Sequence, residues 1–221
     1  MLRTTLSRGG RDLPETNEMK SVKTDARSLR ALQAAAKGCK ACDLWKHATQ
    51  TVFGEGSRRA HLLFVGEQPG NDEDLQGKPF VGPAGKLLDR ALEQAGIDRQ
   101  QVYITNVVKH FKWEERGKRR LHKKPNATEI SACLPWLVSE IGVVKPRVIV
   151  ALGATATQAL LGPSFKVLAY RGKRIESRFG PPVMVTVHPS SILRAVDEQS
   201  RSRDFSLFVR DLSGLKDVIE P

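Results

Sequence analysis

The sequence predicts an α/β fold, a three-layer α/β/α sandwich around a central, mostly parallel four-stranded sheet. Four short apolar runs, HLLFVGE (61–67), QVYITNVV (101–108), PRVIVALG (146–153) and PVMVTVHP (182–189), alternate with helical patterns. The runs are continuously apolar, as expected of strands covered by helices on both faces. Polar residues gather where the runs end, the place at which parallel sheets bind ligands.

The elements follow in order. Residues 1–27 are polar and charged with no sustained hydrophobic period, and read as a disordered basic tail. The rest, 28–217, reads as one domain. SLRALQAAAKG (28–38) is a helix ending at a glycine, with a cysteine pair just beyond. GPAGKLLDRALEQAG (82–96) places Leu87, Leu88, Ala91 and Leu92 on one helical face. NATEISACLPWLVSEIG (126–142) is helical, with Pro135 expected to kink or break it. ATATQALLG follows the third strand, and SRDFSLFVRDLSGLKDVI closes the chain as a last helix.

Composition narrows the partners. Lys plus Arg number 36 against 24 Asp plus Glu, a formal charge of +12. That excess favours a polyanion, nucleic acid before an anionic membrane. No apolar run of transmembrane length is evident and the N-terminus has no signal-peptide block, so a cytoplasmic protein without membrane attachment is expected. The cysteines are three: Cys39 and Cys42 as C-x-x-C, and Cys133 far downstream. Without a secretion signal, this pattern points to a metal or cluster in place of disulfides.

The strand ends carry Gly66-Glu67-Gln68-Pro69-Gly70, Thr105-Asn106, Gly153-Ala154-Thr155 and His188-Pro189-Ser190-Ser191. Each alone could serve a turn or cap; their convergence on one rim favours a site. GEQPG, KPFVGPAG, ITNVVK and VHPSS, in that order, resemble the iron–sulfur uracil-DNA glycosylases often called family 4, over about residues 28–215. Two departures resemble a narrower group, the UdgX-type enzymes: Gln68 stands where family 4 has a small residue, and KWEERGKRRLHKKP (112–125) replaces a short connection.

The resemblance implies a structural 4Fe–4S cluster held by Cys39, Cys42 and Cys133, with His110 in the place of family 4's further cysteine. Spacing alone leaves a zinc site of the same donors open. It implies a flipped uracil read by Asn106, whose amide carries both an acceptor for N3–H and a donor for O4. Phe80 is either a ring stacked on that base or a core aromatic. Backbone N–H groups of the GEQPG turn, Gly66 and Gly70 among them, are candidates for uracil O2 or a phosphate. His188 faces O2 in the family and stabilises the departing uracil anion. Ser190 and Ser191 bind phosphate or cap the following turn.

Lys109 to Lys124 holds eight Lys or Arg and two Glu. Read plainly, it is a charged loop gripping phosphates through Lys118, Arg119, Arg120, Lys123 and Lys124. In UdgX-type proteins the histidine matching His122 is a nucleophile that attacks the sugar C1′ and stays bonded to the abasic site. Glu67 would then orient the imidazole, with Gln68 beside it in the catalytic group. The expected partner is uracil-containing DNA, single strands preferred, acted on by a monomer. A turning-over glycosylase and a non-enzymatic binder of uracil-containing DNA remain the alternatives.

Overall fold

A computed structural model describes residues 28–219. The expected tail at 1–27 lies outside the described residues. The helices are α1 (Leu29–Ala36), α2 (Asn71–Gln76), α3 (Pro83–Gln94), α4 (Ala127–Val144), α5 (Gly153–Leu161), α6 (Val167–Tyr170), α7 (Pro189–Leu193), α8 (Glu198–Ser213) and α9 (Lys216–Ile219). The strands are β1 (Glu55–Gly56), β2 (Leu62–Gly66), β3 (Val102–Asn106), β4 (Trp113–Arg116), β5 (Arg119–His122), β6 (Val148–Leu152), β7 (Arg174–Ile175) and β8 (Val183–Thr186).

The main sheet has six strands in the order β1-β3-β2-β6-β8-β7. The expected four, β3, β2, β6 and β8, are mutually parallel and form its centre. The expectation of four strands misses the antiparallel edges β1 and β7, which have two residues each and no apolar run to reveal them.

Alternation across the pleat makes the three layers. Leu63, Val65, Tyr103, Ile149, Ala151 and Val185 face a core shared with α1, α4 and α5. Leu62, Phe64, Ile104, Val150, Leu152 and Met184 face the opposite core, closed by α3, α7 and α8. Burying both faces explains why the strands read as unbroken apolar runs.

Pro135 does not break its helix, as α4 runs through it from Ala127 to Val144. Proline removes one intrahelical donor, and the helix is held otherwise. Asn126 and Glu129 form a capping box at its start, and Trp136, Leu137 and Ile141 are buried along it. By length and mean hydropathy this 18-residue helix could cross a membrane. Here it is a covering helix of the sheet, packed on α1 and β3.

The basic segment is not an irregular loop. Trp113 pairs with His122 and Arg116 with Arg119 in an antiparallel hairpin turned at Gly117, whose φ of +60° suits glycine. The closing helix divides at Gly214 into α8 and α9.

Candidate active site

A cavity of about 900 Å³ opens where β2, β6 and β8 end, lined by Glu67, His122, Lys124, Thr155, His188 and Arg194 among others. Glu67 follows β2. Thr155, in the first turn of α5, donates its hydroxyl to Glu67 Oε2. The other carboxylate oxygen, Oε1, lies 3.4 Å from His122 Nε2. In this conformation Nε2 faces the carboxylate, and Nδ1 has no hydrogen-bond partner among the described residues. The His122 side chain is 49% exposed, so its outer face is open to a ligand.

His188 caps α7. The Ser190 backbone N–H donates to Nδ1 at 3.1 Å, and the Ser190 hydroxyl lies 2.8 Å from the same nitrogen. Nδ1 is therefore the acceptor, and the neutral ring carries its proton on Nε2. Burial, reinforced by Arg194 and His122, pushes the His188 pKa down to about 4, so the ring is neutral at physiological pH. Gly153, at φ +85°, lets β6 close against this residue: a Cβ there would stand 2.8 Å from His188 Cβ.

Asn106 ends β3 and is 3% exposed. Among the described residues its side-chain amide has no hydrogen-bond partner, while its carbonyl accepts from Lys109 Nζ. Gly66 makes room for it, since a Cβ there would lie 2.3 Å from Asn106 Oδ1 and 2.6 Å from Phe80 Cζ. Phe80 is buried, its ring centroid 5.8 Å from that of His188. Its φ of +56° is the left-handed region, strained for an aromatic residue and characteristic of functional positions. Gly85 permits that turn, because a Cβ at 85 would meet the Phe80 carbonyl at 1.7 Å.

The remaining expected residues lie around this cavity and along the hairpin. Gln68 has its amide committed to the hairpin: Nε2 donates to the carbonyls of Lys112 and Lys123, and Oε1 accepts from Lys112 N–H, each at 3.1 Å. It grips both strands at their open end and so holds His122 in place. Arg120 turns inward, donating to buried Asp74 at 2.7 Å and to Asn71 at 2.9 Å, with Phe111 and Trp113 rings against its guanidinium. Lys118 and Arg119 are exposed at the hairpin turn. Lys123 is exposed and paired with Glu114 at 2.8 Å. The Gly70 N–H is taken by Glu73, which also accepts from Gly82, so it is closed to a ligand. Ser190 orients His188, and Ser191 donates to the His188 carbonyl, a capping bond.

Sequence reasoning missed Thr155 as the anchor of Glu67, and Asp74 as the anchor of the hairpin. Its one signal for Thr155 was the position just after a strand end; Asp74 had none.

Burial raises the Cys42 and Cys133 thiol pKa values; Cys39 lies close enough to add to both, and Cys42 to that of Cys133. Trp136 Nε1 donates to Cys39 Sγ and the Lys109 backbone N–H to Cys133 Sγ, both at 3.2 Å. Burial pushes the Cys133 thiol up to about 12. His110 is buried and its pKa lowered by that burial. Its Nε2 lies 2.9 Å from Thr51 Oγ1, and that hydroxyl spends its proton on the Ala36 carbonyl. His110 therefore donates from Nε2 and keeps a lone pair on Nδ1, the state of a metal-binding imidazole. Among the described residues no three His, Cys, Asp or Glu side chains form a group that would hold a metal ion.

Residues 53–213 match the family model of the uracil DNA glycosylase superfamily. The chain belongs to that superfamily. It is 42% identical over 167 residues to a type-4 uracil-DNA glycosylase of Thermotoga maritima, covering 75% of this chain and 83% of the relative. A type-4 enzyme of Pyrobaculum aerophilum is 39% identical over 173 residues, 75% of this chain and 85% of the relative. A type-5 uracil-DNA glycosylase of the same organism is 27% identical over 184 residues, 74% of this chain and 76% of the relative. The superfamily match spans β1 to the end of α8, and so takes in Glu67, Asn106, His122 and His188.

Proposed function

We propose that this protein is a uracil-DNA glycosylase that excises uracil from DNA and remains covalently bound to the abasic site through His122. The observation that carries the covalent step is His122 Nε2 at 3.4 Å from a Glu67 carboxylate anchored by Thr155. The relatives named as uracil-DNA glycosylases support the excision.

The flipped uracil stacks by Phe80. Asn106 accepts from N3–H and donates to O4. The C1′–N1 bond breaks and its electron pair leaves with the base. His188, neutral with its proton on Nε2, donates to O2, where the negative charge develops. The oxocarbenium-like sugar carbon is then attacked by the free lone pair of His122, forming an imidazole–C1′ bond. The positive ring that results holds its Nε2 proton against Glu67, which offsets the charge. The uracil anion is protonated on release. The strand is held by Lys118, Arg119 and Lys124, while Arg120 and Gln68 keep the hairpin in register.

Cys39, Cys42 and Cys133, with His110 as fourth donor, suit an iron–sulfur cluster. A single zinc ion needs its donors drawn into one tetrahedral shell; a cluster sits among more widely spaced sulfurs, each able to accept N–H bonds like those from Trp136 and Lys109. A bound cluster would supply folding free energy and no part of the base-release chemistry.

One gel tests the reading. Protein is mixed with single- and double-stranded oligonucleotides carrying one uracil, heated in denaturant and separated. A heat-stable shifted band, stronger with the single strand, is expected. Free, alkali-cleavable abasic DNA would mean turnover with a water in the place of His122, and intact uracil would mean binding alone.

A further inference from the structure

We infer that Lys109 and Glu140 form a buried positioning strut that sets Asn106 for base recognition. This rests on the reading of Asn106 as the uracil reader. Lys109 looks in sequence like the first residue of the basic run, yet its side chain is 1% exposed and that of Glu140 is 0% exposed. The ammonium has three N–H groups and three acceptors: Glu140 Oε2 at 2.5 Å, Thr105 Oγ1 at 2.7 Å and the Asn106 carbonyl at 2.7 Å. Glu140 Oε1 receives the Gly54 N–H at 3.0 Å and the Tyr103 hydroxyl at 2.9 Å, and Thr105 donates to the carboxylate as well.

The network thus ties α4 to the segment before β1 and to the carboxyl end of β3. Tyr103 and Thr105 point to its side of the sheet; the Asn106 amide points to the other, against Gly66 and Phe80. Holding the Asn106 carbonyl fixes the peptide plane from which that amide is aimed. The amide itself has no partner to orient it among the described residues, so its direction comes from the backbone. Lys109 also gives its backbone N–H to Cys133 Sγ, so one residue links the cysteine site to the base pocket.

Stability alone does not account for the pair. Two ions taken out of water lose hydration that their attraction only partly returns, and apolar residues of similar volume commonly serve as well or better. A polar pair does what an apolar one cannot, which is to hold a carbonyl by a directed bond.

The test uses the full chain and a single-stranded oligonucleotide with one uracil. Lys109→Met combined with Glu140→Gln removes both charges, keeps an acceptor for Tyr103 and Gly54, and frees the Asn106 carbonyl. Tyr103→Phe deletes one hydroxyl from the far end. The readouts are the single-turnover rate of uracil release, the Kd for the same oligonucleotide with thymine in place of uracil, and the thermal midpoint. Expected are a rate at least tenfold lower in the double variant, two- to fivefold lower in Tyr103→Phe, and Kd within twofold of wild type in both. Should the double variant not fold, Tyr103→Phe alone decides. Rates within a factor of 1.5 (about experimental error) in every variant that folds would overturn the strut while leaving the glycosylase reading intact. Absence of uracil release by the wild type would remove that reading and the strut with it.

Discussion

His122 and Glu67 meet across the cavity at 3.4 Å although they come from different sheets, His122 from the end of the hairpin and Glu67 from the end of β2. The contact depends on Gln68, the neighbour of Glu67, which grips both hairpin strands through their backbone. A carboxylate and the clamp that brings it a histidine are thus adjacent residues of one turn.

Replacing His122 by Ala should abolish the denaturant-resistant DNA complex and keep measurable uracil release, since Asn106 and His188 still act on the base and a water can enter the vacated space. The assay separates shifted bands from alkali-cleavable strands. A heat-stable complex formed by His122→Ala would show that another residue is the nucleophile.

Gln68→Ala removes three bonds to the hairpin, each worth about 1 kcal/mol net. Covalent capture should slow by about tenfold or more, while base release falls less, because Asn106 and His188 stand on other elements. Time courses of adduct and of free uracil, followed in the same reaction, would expose a common loss and so a different role for Gln68.

The pH dependence of stability follows from His188. Its folded pKa, about 4, lies below the ordinary 6.5. Between these values the unfolded chain binds more protons, so stability is full above pH 6.5 and is lost as pH falls toward 4. The thermal midpoint should drop more between pH 7 and pH 4.5 in wild type than in His188→Gln. Parallel curves for the two proteins would refute the assignment.

Cys133→Ala should lower iron and acid-labile sulfide in purified protein and reduce its soluble yield, as a lost ligand costs binding free energy that is also folding free energy. Wild type should be brown, with broad visible absorbance. Colourless wild type with stoichiometric zinc would reject the cluster.

Asn106→Asp should lose uracil excision. Uracil needs an acceptor for N3–H and a donor for O4 in one group, and a site built on buried polar pairing loses about 10⁴-fold when the pairing is wrong. Matched strands with uracil, cytosine or thymine provide the comparison, and wild-type uracil excision by this variant would remove Asn106 from base reading. Weak cytosine activity is the expected gain.

The central strands were legible because burial on both faces leaves continuous apolar runs, and Glu67, Asn106 and His188 drew attention because they stand at or just past the carboxyl ends of those strands. The edge strands were not, since two residues held by one neighbour need no apolar pattern. Charge misled in one direction: Arg120 and Lys109 sit in a run of basic residues, and a run of that kind reads as solvated or phosphate-bound. Arg120 instead meets Asp74, 46 residues earlier, and Lys109 meets Glu140, 31 residues later.

By itself, the sequence determined the layered α/β architecture and the rim on which polar groups collect, because these follow from periodicity and from residues near one another in the chain. Only the tertiary structure decided which charges face inward and that the basic segment is a hairpin clamped by Gln68, which sets at 3.4 Å the approach of His122 to Glu67 that the family resemblance implied. Those outcomes depend on partners tens of residues apart, and a charged side chain reveals its role only when the fold shows whether a counter-charge or water stands opposite it.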